Sequence, residues 1–173
     1  MNIISGIYKH KSIKSPATSA THPMGSREKL ALFNMISPYC PGASVLDAFA
    51  GSGALGLEAL SRGASKVVFV EKSPKVAAII RENIENLGVK DQTSVRACIS
   101  RDFTTDERFD IIIADPPYDN FHIEDIAHLS VFLKEGGILA LSAPRINLPE
   151  IPGLEIVSQH TYAAASITIF TKR

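Results

Sequence analysis

From Ser44 onward, short apolar runs alternate with segments of helical periodicity, and this alternation limits the possible folds more than any other feature. The apolar runs are near-continuous, as strands are when helices bury both faces of a parallel sheet. The sequence therefore predicts an α/β fold with a mostly parallel sheet and helices on both faces. Ligands of such sheets bind beyond the carboxyl ends of the strands, so we expect functional residues to follow the strands.

Capping residues and chain breaks set the boundaries of these elements. Ser73 followed by Pro74 is a favourable helix start and Gly88 a favourable end, which predicts a helix to about Leu87. The segments LEIVSQHTY and ASITIFTK have no helix between them, which predicts a closing antiparallel hairpin. The other predicted elements are the strands SVLDAF, KVVFVE, TSVRACI, FDIIIAD and GILALSA and the helices SGALGLEALSRG and HIEDIAHLSVFL, the latter stopping at the Gly136-Gly137 pair.

The N-terminal part of the chain follows a different pattern. Residues 1–15 contain apolar pieces broken at Gly6 and predict a short β-hairpin, whereas SPATSATHPMGS at residues 15–26 predicts a mobile loop. Ser26 is then expected to be the N-cap of a helix over about residues 27–37. The apolar face of this helix is expected to carry Leu30, Phe33 and Ile36.

Length and composition suit one domain over residues 1–173, with residues 1–26 as a basic hairpin and loop extension and residues 27–173 as the core. No apolar run reaches the roughly 18 residues of a membrane span, and we expect no secretory signal. Two cysteines without paired spacing fit a reducing cytoplasm, and the five histidines show no metal-ligand spacing. We expect a cytoplasmic monomer without a metal.

Charge is distributed unevenly along the chain. The whole chain carries 18 basic and 18 acidic residues, but residues 1–29 hold five basic residues and one acid. A basic arm can bind phosphates locally, and it can equally be a solvated extension, so charge alone leaves both interpretations open. The candidate phosphate contacts are Lys9, Lys11, Lys14 and Arg27.

A glycine-rich loop follows the first predicted strand of the core. LDAFAGSGALG contains G-x-G-x-x-G as Gly51, Gly53 and Gly56, and Glu71 ends the next strand 20 residues after Gly51. Glycines there let the backbone approach a ligand, and an acid at that distance can accept hydrogen bonds from ribose hydroxyls. This pattern fits a dinucleotide site, and it also fits S-adenosylmethionine.

Asp47 distinguishes between these two possible cofactors because it precedes the glycines, at the end of the first strand. A carboxylate beside this turn would repel a pyrophosphate and attract the ammonium group of a methionine moiety. The position of Asp47 therefore favours S-adenosylmethionine over NAD. The alternative is that Asp47 only caps the following turn.

The run IIIADPPYDN places Asp115 at the end of the fourth strand, followed by two prolines and Tyr118. Pro116 and Pro117 fix the backbone and lack N–H groups, so we expect their carbonyls to be free acceptors in a rigid corner. A carboxylate and a carbonyl together suit an –NH₂ group, and an aromatic face suits a stacked base. Two acceptors can aim the lone pair of a nucleobase amine at a sulfonium methyl, while Asp115 stabilises the developing positive charge.

The motif D-P-P-Y together with VLDAFAGSGALGLEALSRGA resembles the RsmD-type 16S ribosomal RNA guanine-N(2) methyltransferases. The segments IISGIYKHKSI and LFN, together with Arg27, also occur in the order found in that family, so the resemblance covers nearly the whole chain. The sequence departs from the family in the run HPMGSREKL before the first helix and in RACISRD after the third strand.

The resemblance implies a Rossmann-like, seven-stranded methyltransferase fold with an N-terminal hairpin extension. It implies methylation of one guanine in 16S ribosomal RNA, within an assembled small subunit, with the basic arm on RNA phosphates. The target base would be held by Asp115, Pro116, Pro117 and Tyr118. The cofactor would be held by Asp47, Phe49, Gly51, Ser52, Gly53, Glu71 and Lys72, with the backbone at Cys98 and Ile99 beside the adenine.

Three other functions are open at this point. The proline corner is shared by DNA adenine and cytosine amino-methyltransferases, although these usually carry a separate recognition region for which this chain has little room. A catalytically idle RNA-binding assembly factor is disfavoured by intact Asp115 and Glu71. An NAD oxidoreductase is disfavoured by Asp47 and by the lack of an obvious His or Tyr-Lys catalytic pair.

Overall fold

The computed structural model describes residues 1–17, 24–162 and 165–173. These residues form one seven-stranded sheet with helices on its faces. The helices are α1 (Ser26–Ile36), α2 (Ala54–Ser61), α3 (Pro74–Leu87) and α4 (Ile123–Ser130). The strands are β1 (Ser44–Asp47), β2 (Lys66–Val70), β3 (Thr93–Arg96), β4 (Phe109–Ala114), β5 (Leu133–Pro144), β6 (Leu154–Thr161) and β7 (Ala165–Lys172).

The strand order β3-β2-β1-β4-β5-β7-β6 confirms the predicted architecture. The first five strands are parallel, while β7 pairs antiparallel with both β5 and β6. The chain order reverses direction across the sheet between β1 and β4, which are parallel neighbours. In open sheets this reversal opens a crevice at the carboxyl ends of the strands, where ligands bind.

The sheet separates two apolar layers. One layer packs against α1, α2 and α3 and includes Phe33, Leu57 and Ile80. The other packs against α4 and includes Ile112, Ile126 and Leu141. Both faces of the central strands are therefore buried, as the near-continuous apolar runs predict.

Several predicted element boundaries and one predicted core residue are wrong. Ser26 is the first residue of α1, and the N-cap is Gly25, which has no side-chain capping bond. Leu30 is exposed, while Leu32 takes the place expected for it in the core. The helix α4 ends at Ser130, before the predicted Leu133, because Leu133 already pairs with Phe109 as the start of β5.

The N-terminal segment, residues 1–14 (the arm), folds back on itself beside the core. Asn2 and Ser12 form an antiparallel bridge, and Ile3 and Ile13 are buried in the same apolar layer as α1. The arm is thus a short hairpin that shares the core of the sheet domain. Half of the loop expected at residues 15–26, namely residues 18–23, lies outside the described residues.

Candidate active site

The glycine loop connects β1 to α2 at the carboxyl edge of the sheet. Gly51 and Gly53 have φ angles of +53° and +82°, a backbone region that glycine adopts without strain. A Cβ at Gly51 would meet nothing within 4 Å, so the backbone there borders open space. A Cβ at Gly56 would lie 2.3 Å from Phe69 Cε1, which shows that Gly56 instead allows α2 to pack closely on β2.

Asp47 ends β1 beneath this loop and is almost completely buried. Its Oδ2 accepts a hydrogen bond from the Gly56 N–H at 2.9 Å, in the first turn of α2. Its Oδ1 is buried and finds no partner among the residues that the structure describes. Asp47 therefore caps the turn, and it also keeps one oxygen whose hydrogen-bonding capacity a ligand could use.

Burial is the main cause that raises the pKa of Asp47 to about 7; the Gly56 hydrogen bond opposes this increase, and the carboxylates of Asp115 and Glu71 add to it. A buried carboxyl with this pKa is close to half-ionised at neutral pH. A cation bound beside Oδ1 would favour the ionised form and lower the pKa. This environment favours a positively charged ligand group over a phosphate.

Glu71 follows β2 and faces the same loop. Its Oε2 accepts a hydrogen bond from the Gly51 N–H at 2.9 Å, and its Oε1 accepts one from the Ser73 N–H at 2.8 Å. Each carboxylate oxygen has a further lone pair, so Glu71 can still accept two hydroxyl hydrogen bonds. Glu71 thus holds the glycine loop in place as well as offering acceptors to a ribose.

The remaining predicted cofactor residues surround this edge. Ile99 is exposed beyond the end of β3, Cys98 is partly buried, and Lys72 is exposed beside Glu71. Ser100, which sequence reasoning missed, is buried and donates its hydroxyl to the Ala48 carbonyl, so it joins the segment after β3 to the one after β1. Phe49 packs against the apolar layer of α4 and Ser52 is buried in the glycine loop.

The proline corner follows β4, whose neighbour in the sheet is β1. Asp47 is in register with Ile113, so Asp115 lies two residues beyond Asp47 along the neighbouring strand. Pro116 is buried and no donor reaches its carbonyl in the part of the chain that the structure describes. The Pro117 carbonyl accepts the Asn120 N–H at 3.1 Å, so only one of the two expected carbonyls is free.

Ser142, on β5, lies beside the two candidate side chains of the corner. Its hydroxyl lies 2.5 Å from the Tyr118 hydroxyl. Burial raises the pKa of Asp115 to about 6, and the nearby Ser142 hydroxyl offsets part of that increase. Burial also raises the pKa of Tyr118, with smaller contributions from the nearby carboxylates of Asp115 and Glu28. The only sequence signal for Ser142 is a polar residue within the apolar run GILALSA.

The candidate phosphate-binding residues do not all lie free on the surface. Lys9, Lys11 and Arg27 are exposed, while Lys14 forms an ion pair with Glu82 of α3. Lys29, which adds to the positive charge of the N-terminal region in the sequence, is buried against Glu58. The basic surface is therefore smaller than the sequence alone indicates.

Within residues 1–17, 24–162 and 165–173, no helix has the length and hydropathy needed to span a membrane. No group of three His, Cys, Asp or Glu side chains there has a geometry that could hold a metal ion.

The strand order, the glycine loop after β1 and the acid after β2 define the class of S-adenosylmethionine-dependent methyltransferases with a Rossmann-like sheet. Within that class the chain belongs to the family described as "Conserved hypothetical protein 95", whose model matches residues 1–171. This is the RsmD family that the sequence resembles, so the resemblance is confirmed.

Relatives of the chain carry methyltransferase names. The Bacillus subtilis protein named "Putative rRNA methyltransferase YlbH" is 32% identical over the full length of both chains. The Haemophilus influenzae "Ribosomal RNA small subunit methyltransferase D" is 37% identical over 68% of this chain and 64% of its own. A solved structure, "Putative methyltransferase yhhF from Escherichia coli", is 25% identical and has a TM-score of 0.91. The match covers 100% of this chain and 98% of that chain.

The residues present fit S-adenosylmethionine. The unsatisfied oxygen of Asp47 suits a cationic group, the open space at Gly51 admits a ligand against the backbone, and Glu71 retains acceptors for a ribose. The exposed apolar side chain of Ile99 suits the face of an adenine. When bound, the cofactor supplies an electrophilic methyl group on a sulfonium.

Proposed function

We propose that this protein transfers a methyl group from S-adenosylmethionine to the exocyclic N2 amine of a guanine in 16S ribosomal RNA, within an assembled small subunit. The observation that carries this proposal is the position of Asp115. Its carboxyl group follows the strand next to β1, close enough to Asp47 to raise the pKa of Asp47. An acceptor for an amine and a site for a cationic donor therefore share one crevice.

In the proposed reaction the Asp115 carboxylate and the Pro116 carbonyl each accept one hydrogen of the –NH₂ group. The amine lone pair, otherwise delocalised into the base, is then directed at the methyl group. The N–C bond would form as the S–C bond of the methyl donor breaks, which would leave the donor as a neutral thioether. The positive charge on nitrogen is stabilised by Asp115, and a proton then leaves to water.

The protonation state of Asp115 fits this role. Burial raises its pKa to about 6, so above that pH the group is a carboxylate and can accept the amine hydrogen. A partly buried carboxylate attracts a developing positive charge more strongly than an exposed one because the local dielectric is lower. Tyr118 is partly exposed at the same corner, where its ring can stack on a base.

The side of the molecule that carries the arm supports a nucleic-acid substrate. The start of α1 lies near the corner, since the charge of Glu28 reaches Tyr118. Arg27 is the preceding residue, and the arm with Lys9 and Lys11 shares the apolar layer of α1. A guanine amine is paired in a duplex, so the base must be unpaired or rotated out to reach the corner.

The relatives support ribosomal RNA as the substrate class, because their names specify rRNA or the small ribosomal subunit. The choice of guanine rests on the resemblance of D-P-P-Y and the glycine loop to the family. Cytoplasmic location and a monomeric state stay predictions, as does the division into an extension over residues 1–26 and a core over residues 27–173.

Product analysis tests the proposal directly. The protein is incubated with methyl-labelled S-adenosylmethionine and, separately, small subunits, naked 16S RNA and duplex DNA, and the nucleic acid is digested to nucleosides. The proposal expects N2-methylguanine from small subunits. Labelled adenine or cytosine from DNA, or RNA binding without transfer, would contradict it. Labelled guanine from naked RNA alone would contradict the assembled subunit as substrate.

The arm has a separate test. Lys9 and Lys11 are changed together to Ala, and the affinity for small subunits is measured over a range of salt concentrations. If both lysines bind phosphates, the slope of log affinity against log salt falls by roughly 1.5, since each contact contributes about 0.7 to 0.9. The control changes Lys90 and Arg108 together to Ala, which removes the same charge just before β3 and just before β4. Equal slopes for the two double variants would show that Lys9 and Lys11 do not bind RNA phosphates.

A further inference from the structure

The arm is attached to the core through a buried charge. Glu58, on α2, is completely buried and accepts hydrogen bonds from the Ile4 and Ser5 N–H groups at 2.8 and 3.0 Å. Lys29 and Arg62 balance its charge at 3.4 and 2.9 Å. Backbone groups of the arm therefore satisfy a carboxylate that would otherwise be under-coordinated inside the protein.

A second attachment lies one turn further along α2. The Ser61 carbonyl accepts the Ile7 N–H at 2.8 Å, and its hydroxyl oxygen accepts the Tyr8 N–H at 2.9 Å. A Cβ at Gly6 would lie 1.8 Å from the Ser61 carbonyl oxygen, so only glycine permits this approach. The first half of the arm is thus held rigidly against α2.

The third attachment differs because it also reaches the glycine loop. Asn83, on α3, accepts the Lys14 N–H at 2.9 Å and donates from Nδ2 to the Lys14 carbonyl at 3.0 Å. The same Nδ2 donates to the Ser52 carbonyl at 3.0 Å. Asn83 is almost completely buried, and its two N–H bonds and its acceptor oxygen are all engaged.

We propose that Asn83 is a positioning residue that couples the arm to the glycine loop, so that cofactor binding and RNA binding strengthen each other. This inference rests on the proposed function for the identity of the RNA. One planar amide fixes the backbone at Lys14 and at Ser52 together, and turning it to improve one set of bonds would break the other. A ligand that orders the loop therefore orders the end of the arm, and the converse holds by thermodynamic linkage.

The first experiment measures this coupling as a ratio. The affinity for small subunits is measured with and without saturating S-adenosylhomocysteine, which occupies the cofactor site without reaction. We expect the wild type to bind small subunits at least about 5-fold more tightly when S-adenosylhomocysteine is present, which is a typical size for coupling between sites. Asn83→Ala is expected to reduce the ratio to below about 2-fold.

The matched control is Asn86→Ala, which removes the same side chain from an exposed position of the same helix. It is expected to keep the wild-type ratio. A destabilised fold lowers both affinities together, whereas loss of coupling changes their ratio. The inference would be overturned if the wild type bound small subunits equally well with and without S-adenosylhomocysteine. It would also be overturned if Asn83→Ala kept the affinity ratio of the wild type.

A second measurement uses the wild type alone, so it does not depend on the folding of a variant. The Lys14 amide donates to Asn83, and its hydrogen exchange is followed by NMR with and without S-adenosylhomocysteine. If the two sites are coupled, the ligand should slow hydrogen exchange of the Lys14 amide several-fold. The Ile3 amide serves as the reference because it is hydrogen-bonded only within the arm. Unchanged exchange at Lys14 would contradict the coupling, even if guanine methylation were established. Slowed exchange at Lys14 without guanine methylation would contradict only the proposed substrate and would leave the coupling intact.

Discussion

The two halves of the candidate active site are built differently. On the cofactor side, Glu71 accepts two backbone hydrogen bonds and Asp47 accepts one, and both residues are buried. On the acceptor side, Tyr118 is more than one-third exposed and is held by a bond to Ser142. The cofactor half is thus shaped by the protein itself, whereas the acceptor half leaves surface for a large substrate to complete.

This difference indicates which substitutions affect folding and which affect only the reaction. Changes in the buried half should alter stability and cofactor affinity together, because the same hydrogen bonds serve both. Changes at the corner should alter transfer with little effect on stability. Substitutions at four positions, Asp115, Gly56, Tyr118 and Asp47, test this division.

Asp115→Asn is expected to lower the single-turnover rate of methyl transfer by about 100-fold or more, because an amide cannot stabilise the cation on nitrogen as a carboxylate does. Affinity for S-adenosylhomocysteine, measured by calorimetry, should stay within about 2-fold. Asp119→Asn, in the exposed turn that follows, is the control and should transfer normally. Normal turnover by Asp115→Asn would remove the basis for the proposed chemistry.

Gly56→Ala is expected to destabilise the protein by about 2 kcal/mol, because the new methyl group would overlap Phe69 and Val67. This net value already includes about 1 kcal/mol gained in helix propensity. Urea unfolding measures it, and Ala78→Gly, at an exposed position of α3, measures the propensity contribution separately. A stabilised Gly56→Ala protein would show that α2 can move away from β2, contrary to a rigid cofactor half.

Tyr118→Ala is expected to weaken substrate binding by about 1 to 2 kcal/mol through lost stacking on the base. Tyr118→Phe keeps the ring and should change the KM for small subunits much less. Both variants should unfold at nearly the wild-type urea concentration, since Tyr118 contributes little to the core. Equal losses in the two variants would mean that the hydroxyl bond to Ser142, and not the ring, is what matters.

The affinity for S-adenosylhomocysteine is expected to rise several-fold between pH 6 and 8. The free protein has Asp47 with a raised pKa of about 7, and the bound ammonium favours the carboxylate, so binding releases protons below that pH. The stability of the free protein should change in the opposite direction. It falls as the pH rises from about 4 toward 7, because in that range Asp47 ionises in the unfolded chain while it stays largely protonated in the folded protein. Asp47→Asn should flatten both profiles, and an unchanged affinity profile in that variant would assign the titration to another group.

Sequence periodicity predicted most of the fold because the β-strands and capping residues are local signals. Ser73 does cap α3, accepting the Val76 N–H, and Gly88 has the left-handed conformation that ends it. The errors lie where distant contacts override local preference. Leu133 leaves the helical pattern because it pairs with Phe109, and Leu32 replaces Leu30 in the core.

The candidate site divides in the same way. Asp47, Glu71 and Asp115 could be proposed from their places after strands, but Ser142, Ser100 and Asn83 could not, since their roles depend on contacts between distant segments. The sequence does contain one signal for Asn83, which is a polar residue on the face of α3 that carries Ala77, Ile80 and Ile84. A polar residue among apolar ones on a core-facing stripe marks a buried hydrogen-bonding role.

The position of β7 has a consequence for how the molecule assembles. During synthesis β6 emerges before β7, yet β6 has no place in the sheet until β7 has paired with both it and β5. Until then β5 presents an apolar open edge, the kind of surface on which nascent chains associate with one another. We therefore expect the pairing of β7 to be the step that covers this edge of β5 in the newly made protein.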